Sequence, residues 1–124
     1  MGLDGWTYDR IECTADQLPG VVGGFGPEWV GVSVTMPGKF AALRFADEHT
    51  PRAELVGAAN TLLRTSTGWR ADNTDVDGVV GALGEASGHA IVVGSGGTAP
   101  AVVVGLAELG VEQITVVALS LIHI

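Results

Sequence analysis

Apolar positions alternate between strand-like and helical spacing along residues 1–72. Strict alternation and β-branched runs predict strands, and apolar residues three or four positions apart predict helices. Gly23 and Gly24 close the first helix, and a polar turn at 66–68 separates the last two strands. The predicted elements, in chain order, are a strand over 6–13, a helix over 16–22, a strand over 29–35, a helix over 39–47, and strands over 58–65 and 68–72.

The second part of the chain has the order strand, glycine-rich turn, helix, strand. Before it, Asn73 or Thr74 can cap a helix that extends to residue 86 and ends at Ser87 and Gly88. The apolar stripe of this helix consists of Val76, Val79, Val80 and Leu83. There follow a strand over 89–93, a glycine turn over 94–97, a helix over 98–109 and a strand over 113–118. This βαβ unit implies a parallel sheet with a right-handed crossover, so the predicted fold class is α/β.

The last six residues, 119–124, do not fit this pattern. An apolar tail follows the last predicted strand where a polar turn is expected, and its letters LSLIHI look like the in-frame translation of a sequencing adapter. We therefore interpret the tail as adapter-derived and exclude it from the predicted fold.

Composition and charge exclude several classes of protein. With 47% hydrophobic and 16% charged residues, the chain is predicted to fold rather than to be disordered. No apolar run reaches the length of a membrane-spanning helix and no signal peptide opens the chain, so we expect a soluble, cytoplasmic protein. The formal net charge of −8 argues against nucleic acid and anionic membranes as partners.

Thiol and imidazole groups indicate neither a disulfide nor a metal site. Cys13 is the single cysteine, which excludes an internal disulfide, and we expect it to be a buried thiol. The histidines His49, His89 and His123 have no paired spacing, so we assign none of them as a metal ligand or a catalyst.

The glycine turn offers a site for the phosphates of a dinucleotide. The segment Gly94-Ser95-Gly96-Gly97-Thr98-Ala99 follows an apolar strand and opens a helix, which is the context that such a site requires. Glycines allow a tight turn, and the helix N-terminus presents N–H groups to a phosphate. Residues 116–118 lack the acidic residue that is usual for NAD, which favours NADP. The alternative is a tight strand-to-helix connection that binds no ligand.

Polar residues also stand at other junctions between predicted elements. Thr35 ends a strand, and Lys39 opens a helix, where the helix dipole disfavours a cation. Asn60 leads into a strand, and Asp75 lies in the first turn of a helix. Lys39 can be explained as a surface residue, and residues 73–75 as helix caps. Those explanations do not account for the position of Lys39, Asn60 and Asp75 at such junctions.

Four segments carry the candidate chemistry: SVTMPGK (33–39), GAANT (57–61), ADNTDVDG (71–78) and GSGGTAP (94–100). They are similar to the motifs N-V-T-x-P-x-K, G-A-x-N-T, G-x-N-T-D-x-x-G and G-x-G-G-x-x-x of the shikimate dehydrogenase family. Each motif is weak evidence alone, but their order and spacing match as well. The chain therefore resembles this family over residues 2–118.

The resemblance implies a reaction and a set of site residues. Members of the family reversibly reduce 3-dehydroshikimate to shikimate with NADPH, in the biosynthesis of chorismate and aromatic amino acids. Lys39 matches the catalytic lysine and Asp75 its acidic partner, and both would contact the substrate. Thr35 and Asn60 match residues that hydrogen-bond substrate hydroxyls, and residues 94–99 match the loop that binds the pyrophosphate of NADP.

The resemblance also implies two domains and some departures from the family. Residues 1–87 would form a substrate-binding domain without its first strand and helix, and residues 88–118 the first βαβ unit of a Rossmann NADP-binding domain. Ser33 stands where the family has Asn. The Ser-x-Ser that binds the substrate carboxylate would precede Met1, and the basic residue for the 2′-phosphate would follow Ala118. We therefore expect the chain by itself to be inactive.

Two alternative functions stay open from the sequence. Quinate or a related cyclic hydroxy acid could be the substrate of a similar dehydrogenase. From a different class, the chain could be a non-catalytic module that binds a nucleotide or a small acid.

Overall fold

The computed structural model describes residues 4–118 and confirms the α/β class. In this range, five helices and six strands follow one another along the chain. They are α1 (Leu18–Gly23), β1 (Gly31–Ser33), α2 (Lys39–Phe45), β2 (Glu48–His49), α3 (Pro51–Val56), β3 (Thr61–Thr65), β4 (Gly68–Asp72), α4 (Asp75–Leu83), β5 (His89–Val93), α5 (Ala99–Glu108) and β6 (Gln113–Val117). No helix within residues 4–118 is long and apolar enough to span a membrane. The tail at 119–124 lies outside the described residues.

The first sheet has the strand order β1-β3-β4-β2 and is mixed. Both β1 and β4 run antiparallel to β3, whereas β2 runs parallel to β4. The parallel sheet predicted from the βαβ unit therefore does not extend to the strand that precedes Thr35. The short turn between β3 and β4 explains the second of the two antiparallel pairings, because a connection of that length can join only antiparallel strands.

The antiparallel register brings three strand ends to one edge of the first sheet. Ser33 pairs with Thr61, and Thr61 pairs with Asp72. Pairing continues one residue further, since the Val34 N–H donates to the Asn60 carbonyl at 2.7 Å and the Asn60 N–H to the Asp72 carbonyl at 3.1 Å. The end of β1, the start of β3 and the end of β4 therefore lie side by side.

The second sheet consists of β5 and β6, which pair in parallel. Helix α5 connects the two strands, so the predicted βαβ unit is confirmed with shifts of about one residue at its ends. Val92, Leu106 and Val111 form the buried core between this sheet and α5.

Two other clusters of buried residues connect the elements. Helices α1 and α2 cover the first sheet, and this core includes Leu18, Leu62 and Trp69. A smaller cluster joins α3, α4 and α5 and consists of Val56, Ala58, Val76 and Ala101. The smaller cluster therefore packs α5, the helix of the βαβ unit, against α3 and α4.

Residues 6–13 form no strand, in contrast to the prediction from their alternating pattern. Trp6 and Tyr8 are 60% and 83% exposed. An alternating pattern is not sufficient, because a stable strand also needs a neighbour that satisfies its backbone N–H and C=O groups. Cys13, expected to be buried, is only partly buried and packs against the core below the first sheet.

Helix α3 was not predicted, although its boundary residues are typical of a helix. The Thr50 hydroxyl accepts the Ala53 N–H at 3.3 Å, and Pro51 occupies the first turn. Gly57 ends the helix with a φ of +80°. The two-residue strand β2 was also missed, since so short a strand has no pattern of its own.

Several predicted elements are longer than those in the structure. The strand predicted over 29–35 is confined to Gly31–Ser33, and the helix predicted over 39–47 ends at Phe45. The helix predicted to residue 86 ends at Leu83, because Gly84 takes a φ of +68° that does not continue a helix.

Gly105 and Gly81 provide a matched test of the packing between α4 and α5. A Cβ at Gly105 would lie 2.9 Å from the Val79 side chain, so Gly105→Ala should destabilise the fold by about 1–3 kcal/mol. Gly81 lies on α4 with open space around it, so Gly81→Ala should stabilise by about 0.5–1 kcal/mol. Urea denaturation followed by circular dichroism measures both changes. Equal stabilisation by the two substitutions would contradict the close approach of the helices.

Candidate active site

Lys39 is the only lysine in the chain, and the structure buries it to 8% exposure. It is the first residue of α2, where the helix dipole opposes a positive charge. A buried ammonium also needs an opposite charge nearby. Asp75, the first residue of α4, provides it, with 2.8 Å between Lys39 Nζ and Asp75 Oδ2. The structure therefore brings together the two residues that the sequence singled out as a pair.

Two asparagines hold Asp75 in place. The Asn60 Nδ2 group donates to Asp75 Oδ1 at 3.1 Å and to Thr74 Oγ1 at 2.8 Å. Asn73 is fully buried, and its Oδ1 accepts the Asp75 N–H at 3.0 Å while its Nδ2 donates to the Ala58 carbonyl at 2.9 Å. Asn73 therefore provides the cap expected at the start of α4, whereas the Thr74 side chain does not cap this helix.

The side-chain amide of Asn60 uses all of its hydrogen-bonding groups within the chain. Besides its two donated bonds, its Oδ1 accepts from the Thr74 N–H and from the Thr61 hydroxyl, both at 2.9 Å. An amide oxygen has two lone pairs and an amide nitrogen two protons. A substrate hydroxyl would therefore have to replace one of these bonds.

Thr35 lies at the same edge but outside this cluster. Its backbone carbonyl accepts the Gly38 N–H at 2.9 Å, which forms the turn before α2. The residue itself is exposed. Thr35 is therefore accessible to a ligand beside the edge at which Lys39 and Asp75 meet.

The glycine turn lies directly against this ion pair. Lys39 Nζ donates to Thr98 Oγ1 at 3.3 Å, so the helix of the βαβ unit begins next to the lysine. A Cβ at Gly97 would meet the end of the flexible Met36 side chain, which would have to move aside, so the turn lies close to the residues that precede α2. Gly94 has a φ of +123°, a conformation that also favours glycine.

The other residues of the turn lead into α5. Gly96 is exposed and has open space around it, whereas Ser95 is partly buried. The Ala99 N–H donates to the Gly96 carbonyl at 3.1 Å, and α5 begins at Ala99. A phosphate can therefore approach the backbone of the turn near a helix N-terminus.

The cluster can present a positively charged donor to a ligand oxygen. An ammonium has three N–H donors. Asp75 and Thr98 accept two of those of Lys39. The third is available to a ligand that enters between the first sheet and the glycine turn, and it can donate a hydrogen bond or a proton.

A second cluster of charges lies beside the first and was not predicted. Arg52 donates from Nε and Nη2 to the two carboxylate oxygens of Asp72, each at 2.8 Å, and from Nη1 to Asp77 at 2.6 Å. The Arg52 guanidinium, with donors from Thr50 and Asn73, holds the pKa of the Asp72 carboxyl well below its usual range. The same hydrogen bonds raise the pKa of Arg52.

A cavity of about 640 Å³ lies beside β1, whose three residues form part of its wall. Its walls include residues 4–9, α1 and the loop at 28–30, with Thr35 and Met36 at one end. Lys39 and Asp75 do not line it. Gly38, the residue before Lys39, is part of its wall, so the cavity comes close to the ion pair without containing it.

Each histidine in the described range has a polar side-chain partner. His49 Nδ1 lies 2.6 Å from Glu54 Oε1, and this contact raises the pKa of His49. His89 Nε2 lies 2.8 Å from the Thr115 hydroxyl, whereas His123 is outside the described residues. Residues 4–118 hold no group of three or more His, Cys, Asp or Glu side chains that could bind a metal ion.

Known proteins resemble this chain in both sequence and structure. A family model described as the shikimate dehydrogenase substrate binding domain matches residues 2–62. A shikimate dehydrogenase (NADP(+)) of Microcystis aeruginosa is 45% identical over 123 residues, which cover 94% of this chain and 43% of that protein. The crystal structure of Mycobacterium tuberculosis shikimate dehydrogenase is 78% identical, with a TM-score of 0.89 over 97% of this chain and 46% of that one. The chain belongs to the shikimate dehydrogenase family.

The family resemblance found in the four sequence segments is therefore confirmed. Another family structure, shikimate 5-dehydrogenase from Thermus thermophilus in complex with NADP(H) and shikimate, is 35% identical with a TM-score of 0.74. That match covers 85% of this chain and 41% of the Thermus chain. The chain spans less than half the length of the shikimate dehydrogenases that it matches.

The Arg52–Asp72 pair predicts how stability depends on pH. Because folding lowers the pKa of Asp72, the pair stabilises the fold above the unfolded-state pKa of about 3.9, and this contribution is lost as the pH falls below it. Asp72→Asn should therefore be less stable at neutral pH but lose less stability between about pH 5 and pH 2. Thermal unfolding at a series of pH values measures this.

Glu48→Gln is the matched control for this measurement. It removes an exposed pair with Arg70, whose side chains are 46% and 47% exposed, so stability should change little. If Asp72→Asn and the unsubstituted chain lost stability in parallel on acidification, the role of the Asp72 carboxylate would be contradicted.

Proposed function

We propose that the protein carrying this chain is an NADP-dependent shikimate dehydrogenase, which reversibly reduces 3-dehydroshikimate to shikimate. The observation that carries the proposal is the Lys39–Asp75 ion pair, at 2.8 Å, beside the glycine turn. Reduction of a ring ketone requires a hydride donor and a proton donor at the same carbonyl group. Relatives that are 40–45% identical and named shikimate dehydrogenase (NADP(+)) support this substrate and cofactor.

The glycine turn fits the pyrophosphate of NADP. The open space at Gly96 lets a phosphate approach the backbone, and the start of α5 offers the positive end of its dipole. When bound, the dihydronicotinamide supplies the hydride for the ketone carbon. The Thermus structure with NADP(H) and shikimate supports this assignment. We assign to the cofactor Gly94, Ser95, Gly96, Gly97, Thr98 and Ala99.

Lys39 handles the proton in the proposed reaction. Its third N–H donates to the ketone oxygen, stabilises the negative charge that develops there and transfers the proton to it. In the direction of oxidation, the neutral amine accepts the proton of the shikimate hydroxyl. The low exposure of Lys39, 8%, strengthens these electrostatic interactions because little water screens them.

Three residues around Lys39 would orient the substrate. Asp75 holds the ammonium with Oδ2, and its carboxylate can also accept a substrate hydroxyl. Asn60 borders Asp75 at 3.1 Å, and Thr35 presents an exposed hydroxyl at the same edge. The short polar side chains at this edge suit a substrate with several hydroxyl groups.

The proposal divides the chain into a substrate-binding domain over 1–87 and the first βαβ unit of an NADP-binding domain over 88–118. Two separate sheets support this division, since β1 to β4 form one and β5 with β6 the other. The proposed substrate residues belong to the first unit and the glycine turn to the second.

A cytoplasmic location and small molecules as partners, rather than nucleic acid or a membrane, follow from the proposed reaction.

Lys39→Ala and Asp75→Asn test the catalytic pair in the gene product that carries this chain. Each should lower turnover by about 10²–10⁴-fold, because proton transfer and charge stabilisation are lost, while NADP⁺ binding is retained. NADPH absorbance measures turnover, and NADPH fluorescence measures binding. Arg70→Gln removes an exposed ion pair with Glu48 and none of the contacts of Lys39 or Asp75, and it should leave both unchanged.

The same assay separates the alternative functions. A non-catalytic binding protein has no turnover to lose, so an unsubstituted protein without shikimate-dependent NADP⁺ reduction would contradict the proposal. Shikimate and quinate are compared side by side, and faster oxidation of quinate would reassign the substrate.

Titration with NADP⁺ and NAD⁺ tests the cofactor. We expect tighter binding of NADP⁺, because β6 ends at Val117 and residues 116–118 carry no acidic side chain for the ribose 2′-hydroxyl of NAD⁺. Equal affinity for the two, or tighter binding of NAD⁺, would overturn the assignment.

A further inference from the structure

Arg52 connects the two ends of the segment that carries Asp75. Its Nε and Nη2 donate to both oxygens of Asp72, the last residue of β4. Its Nη1 donates to Asp77, which lies in the first turn of α4. One planar guanidinium therefore holds the chain on both sides of residues 73–75.

The contacts of Asp72 extend this arrangement toward the ion pair. Asp72 Oδ1 also accepts the Thr50 hydroxyl and the Asn73 N–H, each at 2.8 Å. Asn73 in turn accepts the Asp75 N–H at 3.0 Å. A continuous series of hydrogen bonds thus leads from Arg52 to the backbone of Asp75.

The geometry makes this ion pair more rigid than an ordinary surface pair. Two parallel N–H···O bonds fix both the distance and the orientation of guanidinium and carboxylate. The Arg52 and Asp72 side chains are 30% and 16% exposed, so water screens them only in part. By contrast, Arg70 and Glu48 share a single contact of 3.1 Å and are about half exposed.

We propose that Arg52 is a positioning residue, which through Asp72 and Asp77 fixes the 73–75 turn and so keeps the Asp75 carboxylate on Lys39. This inference rests on the proposed function in that it assigns a role to Arg52 for the same catalytic pair. Arg52 itself contacts neither Lys39 nor the glycine turn. It therefore acts on the ion pair only through residues 73–75. Loss of the guanidinium loosens Asp75 and lets the lysine side chain move.

Lys39 can be observed directly because it is the only lysine. Labelling with ¹³C-lysine gives a single Cε signal, and an immobilised side chain shows two separate Hε proton signals on that carbon. A mobile side chain averages them to one. In the unsubstituted chain, without substrate or cofactor, we expect two Hε signals.

Arg52→Gln should merge the two Hε signals into one, while an unchanged near-ultraviolet circular dichroism spectrum of the three tryptophans, of which Trp69 is buried, shows that the fold is kept. Arg70→Gln, the matched control, should leave both Hε signals separate. In the gene product that carries the chain, Arg52→Gln should lower kcat by about ten- to a hundredfold and change KM much less. Two separate Hε signals in folded Arg52→Gln would overturn the proposal.

Asp72→Asn decides the question if Arg52→Gln does not fold. It keeps an Oδ1 that accepts from Thr50 and Asn73 but removes the charge that binds Arg52. Merged Hε signals of Lys39 in Asp72→Asn support the positioning role of Arg52, and two separate signals in this variant contradict it. Because the Hε signals need no turnover, failure of this proposal is distinguishable from absence of shikimate oxidation, which would contradict the proposed function alone.

Discussion

A buried ammonium must be paired with a negative charge, and the arrangement around Lys39 follows from this requirement. Lys39 is 8% exposed and begins a helix whose dipole opposes it, so Asp75 at 2.8 Å is its essential partner. The Asp75 carboxylate has to stay within contact of the Lys39 ammonium. Asn60 holds that carboxylate, and Asn73 holds the backbone N–H of Asp75. The site is therefore an ion pair that is held in place by hydrogen bonds from uncharged side chains.

Sheet register decides that these residues can meet. Since β1 and β4 both run antiparallel to β3, residues Ser33, Thr61 and Asp72 form a row across the first sheet. The polar residues that follow β1, precede β3 and follow β4 then share one edge. A shift of one residue would turn every side chain to the opposite face and separate Asn60 from Asp75.

The second unit reaches the same edge through close packing of small residues. Gly105 lets α5 approach Val79 on α4, and the glycine turn lies against the Met36 side chain. These contacts bring the Thr98 hydroxyl to 3.3 Å from Lys39. The lysine thus lies where a strand edge and a dinucleotide-type turn meet, which is a suitable place to combine a proton donor with a hydride donor.

Sequence by itself determined the α/β class and the βαβ unit, and it singled out Lys39, Asn60, Asp75 and the glycine turn as candidate site residues, because local spacing and short motifs carry that information. It also predicted a strand over 6–13 that does not form, since a pattern cannot show whether a partner strand is present. Only the tertiary structure decided that Arg52 meets Asp72 and Asp77, and that the Asn60 amide donates to both Thr74 and Asp75. Such contacts join residues 14 to 25 positions apart, and their geometry depends on sheet register and helix packing rather than on any local pattern.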